Sequence, residues 1–412
     1  MFLSHGFSPW LFYLILLYLF KGMEKDSHPF TGQDSKYMKL ALKLAAKAKG
    51  KTSPNPLVGA VIVNNGTIIS SGHHKKAGLA HAEIEAINNC SDKRLLKDAV
   101  MYVTLEPCSF YGKTPPCTEA IIECGFAKVI AAVTDPNPSV SGKGFARLRQ
   151  AGVDVHTGLL GDEATRLNEV FFKHIKTGSP FVTLKIAASI DGKTAAAGGH
   201  SKWITGKRSR SIVQGLRYQS DCVLTGINTV IADDPLLYPR NLSSGKPLSL
   251  KNKKFFRVVL DSGLKISADS KIAGTAGMVK TVVFGSLENK RDAGFNKRMN
   301  LLKEKEINVE LAPAEGAHGL CLGFILKSLY KKYGITSVLV ECGPTLAACF
   351  TSKKLADKFI FFFGPKIIGG DSPYSMFSSL DVPDVNKAYK IRFETIKRTG
   401  DDLMIAAYPS YS

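Results

Sequence analysis

Acidic residues, cysteine and long apolar runs are all scarce in this chain, and each shortage narrows the possible functions. Asp and Glu number 35 against 55 Lys and Arg, for a formal net charge of +20. A balance this basic favours anionic partners: nucleic acid, a membrane surface or small phosphorylated ligands. The basic residues are scattered, as in Lys36, Lys39, Lys43, Lys47 and Lys49 or Lys251, Lys253 and Lys254, the pattern of solvated helix and loop faces. Eight cysteines among 412 residues, irregularly spaced, exclude a disulfide scaffold and fit a reducing compartment, so a cytoplasmic protein is expected. The apolar opening PWLFYLILLYLF, residues 9–20, falls short of the roughly 20 residues that span a bilayer. It also lacks the basic flank and small-residue cleavage site of a secretory signal. A polar stretch begins at Met23, so residues 1–22 are set aside as an over-extended start, with a weak membrane or targeting segment as the alternative.

What remains has an ordinary globular composition, 44% hydrophobic and 22% charged, and its length points to two domains. Asp34 or Ser35 can cap a helix carrying Met38, Ala41, Ala45 and Ala48 on one face and ending near Gly50. LVGAVIVNNGTIIS then predicts two strands joined at Asn65-Gly66, a strong hairpin signal. A helix opening at His81, the run AVMYVTL, a second helix entered through PPCTEAIIE and the strand KVIAAV complete an α/β layer pattern. HIKTGSP, residues 174–180, reads as a linker between a first domain, 23–173, and a second, 181–412. In the second, FVTLKIA, DCVLTG, FFRVVL, TVVF, TSVLVE and KFIFFF are strands, with helices near 207–219, 319–333 and 345–353. The polar stretch beginning at Tyr238 is expected to be an exposed loop.

The densest chemistry lies between His81 and Cys117. A catalytic zinc site needs three protein ligands and an open position for water. His81 offers a nitrogen, Cys108 and Cys117 offer thiolates, and Cys117 enters a helix N-terminus, where thiolates are favoured. Glu83 can stand beside the metal as general acid and base, taking a water proton and delivering protons to a ring nitrogen and a leaving amine. The order H-x-E followed by P-C is that of zinc nucleobase deaminases, although eight residues rather than two separate the cysteines.

The second half shows no G-x-G-x-x-G, and GGDSP at Gly369 is a weak phosphate-loop candidate. VECGPTLAACF is more informative. A strand ends at Glu341, Gly343 permits close backbone approach and Pro344 suits the first helical position, a junction that can seat a pyrophosphate or simply connect strand to helix. Asp233 beside Asp234 could be a carboxylate pair for a metal, but no other ligand cluster stands nearby.

At TSPNPLVGAVIV, HAEIEAI, TLEPCSFYGKTPPC, DPNPSVSGKG, LKIAASIDGKTA, SKWIT, GINTVIADDPLLYPR and ECGPTLA the chain closely resembles the bifunctional riboflavin-biosynthesis deaminase/reductases, from about residue 35 to 400. The resemblance implies a cytidine-deaminase-like α/β domain followed by a dihydrofolate-reductase-like α/β domain. The first would deaminate a 2,5-diamino-6-ribosylamino-pyrimidinone 5′-phosphate with zinc, and the second would reduce the ribosyl chain to ribityl with NADPH. It makes His81, Cys108 and Cys117 the zinc ligands, Glu83 the proton shuttle, and Asn55 and His73 pocket residues. Many relatives have His where this chain has Phe110, and Tyr111 or Lys113 are the candidates to replace that contact. In the second domain it implies NADPH contacts at Ala187, Trp203, Thr229, Asp233 and the segment Gly343, Pro344, Thr345, Leu346, Ala347, Ala348, Cys349. Substrate contacts would be Lys185, Ser201, Arg217, Leu236, Arg240 and Glu341, with the two guanidinium groups suited to phosphate. A small phosphorylated pyrimidine is then the expected partner, with no nucleic acid and no stable membrane partner expected, and a homo-oligomer left open. The competing readings are a nucleic-acid or nucleoside deaminase with an accessory domain, and a scaffold whose sites have decayed.

Overall fold

The computed structural model describes residues 30–111, 115–250, 253–316, 319–370, 374–378 and 380–411. The expectations for residues 1–22, Lys113 and Lys251 therefore lie outside the described residues.

The first helix, α1 (Gly32–Ala46), is capped by Thr31 and not by Asp34 or Ser35. The Thr31 hydroxyl accepts the Asp34 N–H, while the Asp34 carboxylate accepts the Thr31 N–H. Two mutually satisfied ends outweigh a single cap, so Asp34 serves as the inner half of a capping box. Met38, Ala41, Ala45 and Ala48 are buried as expected. The helix stops before Gly50, which adopts φ 77° in the turns that follow. Strands β1 (Gly59–Asn64) and β2 (Thr67–His73) form the expected hairpin, with Asn65 and Gly66 at φ 47° and 74°, left-handed at both central positions.

Next come α2 (Ala82–Asn88), β3 (Val100–Val103), α3 (Cys117–Glu123), β4 (Lys128–Ala131), α4 (Lys143–Gln150) and β5 (Asp154–Thr157). The sheet order is β2-β1-β3-β4-β5, with β3, β4 and β5 parallel, so KVIAAV does not close the set. Its edge is covered by β5, a short and mostly polar strand in which only Val155 is buried. Helix α1 packs so tightly on β1 that a Cβ at Gly59 would lie 2.1 Å from the Ala41 carbonyl oxygen. Gly59→Ala should therefore cost about 1–3 kcal/mol of stability through overpacking, seen as a lower denaturant midpoint with an unchanged slope.

Helices α5 (Gly161–Leu167) and α6 (Glu169–Thr177) lead out of the first domain. The linker expected at 174–180 is helical through Thr177, and its His174 is buried; only Gly178, at φ 61°, ends the helix. The turn formers Gly178, Ser179 and Pro180 do break the chain, but the four residues before them continue α6.

The second domain contains β6 (Phe181–Ser189), α7 (Lys207–Gln219), β7 (Cys222–Gly226), α8 (Ile227–Asp233), β8 (Phe256–Leu260), α9 (Lys271–Gly274) and β9 (Thr281–Ser286). It continues with α10 (Ala293–Glu304), β10 (Ile307–Ala312), the short hairpin β11 (Ala314–Glu315) and β12 (Gly319–Leu320), α11 (Leu322–Tyr333), β13 (Ser337–Glu341), α12 (Pro344–Ser352), β14 (Lys358–Gly364), β15 (Ile391–Thr399) and β16 (Asp402–Pro409). Its large sheet runs β10-β9-β8-β7-β13-β6-β14-β16-β15. From β10 to β14 every pair is parallel, and β16 and β15 add antiparallel edges. Strands β7, β8, β9 and β13 are buried almost throughout, as a parallel sheet covered on both faces requires. The loop from Tyr238 departs from expectation at its start: Tyr238 is 5% exposed and joins the core, while residues 241–245 lie mostly in solvent. Among the described residues, no helix is long and apolar enough to cross a membrane.

Candidate active sites

In the first domain the fold gathers the four residues singled out by the motif. His81 is the N-cap of α2, Cys108 lies in the loop after β3, and Cys117 is the first residue of α3. The His81 Nδ1 lies 3.5 Å from the Cys108 Sγ and 3.3 Å from the Cys117 Sγ. All three ligand atoms lie within 4.8 Å of one another. Around a tetrahedral zinc with bonds of about 2.0–2.3 Å, neighbouring ligands stand roughly 3.5 Å apart, so these donors fit zinc in kind and spacing.

The electrostatics suit the same group. Hydrogen bonding from Cys117, with a further contribution from His81, draws the Cys108 thiol down to about 4. Its sulfur also accepts the Cys117 backbone N–H at 3.4 Å. Cys117, the donor of that pair, is pushed up. A divalent cation satisfies both sulfurs where a single shared proton otherwise must. Glu83, 3% exposed, is not one of the three ligands. Burial, and then the negative Cys108, push its carboxyl up to about 7, the range in which one group can both take and give a proton near neutrality.

Asn55 is linked to this centre through His74, whereas the expected pocket residue His73 lies at the end of β2. The His74 side chain is 2% exposed, and its ring stands edge-on to that of His81 at 5.6 Å. Its Nδ1 donates to the Ala80 carbonyl at 3.0 Å, so Nε2 is bare and accepts the Asn55 amide Nδ2 at 3.2 Å. His73, the last residue of β2, is partly exposed, and its pKa is lowered by burial and by Lys47 and Lys75. The alternation of side chains sends one of two consecutive histidines inward, and only the register of β2 decides which. Glu106 was also missed: its buried carboxylate accepts the N–H groups of Asp135, Gly142 and Gly144, and so fixes the loop beside Cys108. Phe110 and Tyr111 are 51% and 80% exposed at the rim.

The second candidate site opens at the C-terminal ends of the parallel strands, where open α/β sheets bind their ligands. Glu341, on the end of β13, accepts two hydrogen bonds from Arg217, at 2.6 Å from Nε and 3.1 Å from Nη2, and Lys185 stands 3.6 Å away. Burial alone would raise this carboxyl, but the Arg217 and Lys185 charges overcome it and hold it at about 2. The guanidinium fork of Arg217 is thus spent on Glu341, not offered to a phosphate. Arg240 is different: its Nη1 is buried with no hydrogen-bond partner.

Helix α12 begins at Gly343 with Pro344 in its first turn, and Ala347 makes the first intrahelical bond, to the Gly343 carbonyl. That leaves the N–H groups of Thr345 and Leu346 at an open end. Thr229 Oγ1 faces Gly343, and Leu346 packs toward Gly226. The side chains of Ala347 and Ala348 are buried and that of Cys349 packs on the core. Ala187 lies in a small cluster with Ile212 and Leu216 against Val213 and Phe362, and Leu236, partly buried, packs against the core of β7, β8 and β9.

Trp203 is 60% exposed under the Arg210 guanidinium at 4.3 Å, which excludes a core role. Asp233 faces Ser201 and Lys202, whereas Asp234 accepts from the Lys271 N–H, so the two carboxylates do not form a pair. Of the candidate phosphate loop beginning at Gly369, residues 371–373 lie outside the described residues; at its start the Asp191 carboxylate accepts the N–H groups of Ile368 and Gly369.

One nitrogen and two thiolates beside a buried carboxyl perform hydrolytic deamination in zinc enzymes, and the class defined here is a zinc deaminase joined to a second, parallel-sheet enzyme domain. Known proteins agree for both halves. Residues 31–133 match the zinc-binding region of cytidine and deoxycytidylate deaminases, and residues 180–405 match the RibD C-terminal domain. The riboflavin biosynthesis protein RibD of Aquifex aeolicus is 40% identical over 372 residues, 90% of this chain and 97% of its own. That of Escherichia coli is 38% identical over 381 residues, 90% and 98% of the two chains. The Acinetobacter baumannii RibD structure superposes with a TM-score of 0.79 at 35% identity, covering 92% of this chain and 99% of its own. A deaminase/reductase structure from Thermotoga maritima gives 0.77 at 34%, with the same coverage. The chain belongs to the RibD family of bifunctional riboflavin-biosynthesis deaminase/reductases, with zinc and NADPH as cofactors.

Proposed function

We propose that the first domain deaminates 2,5-diamino-6-(5-phosphoribosylamino)pyrimidin-4(3H)-one and that the second reduces the ribosyl chain of the product to ribityl. The convergence of His81, Cys108 and Cys117 beside the buried Glu83 supports the first step most directly. His81, Cys108 and Cys117 would hold the zinc, which would supply an acidified water for attack on the ring carbon bearing the amine. Glu83 accepts the water proton at its carboxylate, then returns protons to the ring nitrogen and the departing amine. Asn55 has its Nδ2 committed to His74, so its Oδ1 is the end left to accept an N–H of the pyrimidine. The whole ligand set argues against a decayed site. A nucleic-acid deaminase remains the alternative for the chemistry alone, but a parallel-sheet domain of more than half the chain has no part in it.

In the second domain NADPH supplies the hydride, and the protein positions the two reactants. The open first turn of α12, with Thr229 beside it, is the seat for the cofactor phosphates. Trp203, Asp233 and Ala187 are its further contacts. Arg240 takes the substrate phosphate through its free Nη1, while Lys185, polarised against Glu341, holds the sugar chain, with Ser201 and Leu236 at its borders. Arg217 acts through Glu341 and does not touch phosphate.

Incubation of the purified protein with the diamino substrate, followed by mass spectrometry, tests both halves. Exchange of the amine for oxygen without NADPH, and hydrogenation only after its addition, is the expected result. Arg240→Ala should raise the reductase KM about ten- to a hundredfold, the worth of one charge-assisted hydrogen bond. Deamination by the same variant should be unchanged; a reductase KM that stays put would remove Arg240 from the phosphate site.

A further inference from the structure

The deaminase residue Asn55 sits in a turn whose position is set from outside its own domain. The segment 50–57 connects α1 to β1, and it leans on the reductase sheet at the N-terminal ends of β7 and β13, the end opposite Lys185 and Glu341. The Ser53 hydroxyl donates to the Asp221 carboxylate at 2.8 Å and lies 3.2 Å from the Thr336 hydroxyl. Asp221, 1% exposed at the foot of β7, is held rigid by the Thr336 N–H and hydroxyl, both at 2.8 Å, and by donating its own N–H to Ser337 Oγ at 2.9 Å. Lys253 Nζ donates to the Gly50 carbonyl at 2.8 Å, and a Cβ at Gly50 would lie 2.7 Å from the Tyr218 carbonyl oxygen. On the far side, His174 Nε2 reaches the Pro54 carbonyl at 3.1 Å, and Asn168 clasps both polar groups of the Leu57 backbone.

Packing does not replace these bonds. The turn borders a cavity of about 240 Å³ lined by Asn55, Leu57, Asn168, Phe171, Thr183 and Leu339, so directional hydrogen bonds fix where the turn stands. Ser53 is two residues from Asn55, too short a tether for a displacement at one not to reach the other. Misplacing a substrate contact by about 1 Å can cost a hundredfold in rate.

We infer that Asp221 of the reductase domain is a positioning residue for the deaminase: through Ser53 it holds the turn that presents Asn55 to the pyrimidine. The inference rests on the reading of Asn55 as a substrate contact. It makes the reductase domain part of the deaminase's precision, with no shared substrate site, and gives a physical reason for the two activities to occupy one chain.

The test uses full-length, zinc-loaded protein with four variants: Ser53→Ala, Ser53→Thr, Asn55→Ala and the double variant Ser53→Ala/Asn55→Ala. Ser53→Ala should lower kcat/KM for deamination about ten- to a hundredfold, with zinc content, unfolding midpoint and reductase kinetics on deaminated substrate unchanged. Ser53→Thr keeps the hydroxyl and should restore much of the loss. In the double variant Ser53→Ala should add nothing to Asn55→Ala, because the group it positions is gone. Additive losses would overturn the inference, as would a Ser53→Ala protein with wild-type deamination while Asn55→Ala is impaired. An Asn55→Ala protein of full activity would instead sink the Asn55 reading, and the inference with it. Asp221→Asn, which can still accept from Ser53 through its amide oxygen, should lose less than Ser53→Ala; a larger deaminase loss with its zinc content and midpoint retained would point to a route other than Ser53.

Discussion

Glu83→Gln is expected to lower deamination by about a thousandfold or more, the contribution of general acid/base catalysis compounded over several proton transfers. Zinc content and the NADPH-dependent step should be untouched. The carboxamide fits the same buried space, so the pocket is preserved, but it can neither take the water proton nor pass one to the leaving amine. Glu83 is also no ligand, which separates this variant from Cys117→Ser or His81→Ala, where metal and activity should fall together. Single-turnover deamination alongside metal analysis on the same sample makes the distinction. Retained activity in the glutamine variant would place the proton shuttle on another group, and the half-buried Asp135 near Cys108 would be the first to examine. Burial pushes that carboxyl up to about 6.

The second large effect belongs to Glu341. Replacing it by Gln leaves Arg217 buried, with Lys185 beside it, and no counter-charge for either. Breaking one side of a buried ion pair typically costs about 3–5 kcal/mol, so Glu341→Gln should show a markedly lower unfolding midpoint and lose reduction. The pH dependence has a definite sign. The carboxyl is held at about 2 against an ordinary 4.5, so the folded state favours its charged form. Its contribution is complete above the ordinary value and is withdrawn as pH falls from there through about 2. The wild type should therefore lose stability more steeply than the variant over that range. Denaturant unfolding followed at successive acid pH values reads the difference, and parallel slopes would mean that the triad with Arg217 and Lys185 contributes no acid-sensitive stability.

The deaminase centre was legible because its chemistry is local. His81 and Glu83 are two residues apart on one helix start, and Pro116 delivers Cys117 to another, so the order of residue types already implies the cluster. The hairpin at Asn65-Gly66 was equally legible, since a type I′ turn needs left-handed backbone at both positions and few pairs provide it. The parallel strands of the second domain announced themselves as apolar runs. His74 could not be told from His73, because neighbouring residues on a strand differ only in the face they take. Arg217 looked like a phosphate ligand, since no local rule predicts that a residue on α7 will meet one on β13 more than a hundred positions later. The linker expected at 174–180 is a turn only over its last three residues, Gly178 to Pro180, because residues 174–177 extend α6, where His174 is buried beside Tyr330.

By itself, then, the sequence determined the reaction class, the residues that gather as the candidate zinc site and two α/β folds, because each is written in residues close together along the chain or in their periodicity. Only the tertiary structure decided that His74 and not His73 is buried against Asn55, that Arg217 is engaged by Glu341 while the Arg240 Nη1 has no partner, and that Ser53 of one domain rests on Asp221 of the other. Those outcomes depend on strand register and on the burial of charges from distant segments, and both are settled only when the sheets are assembled.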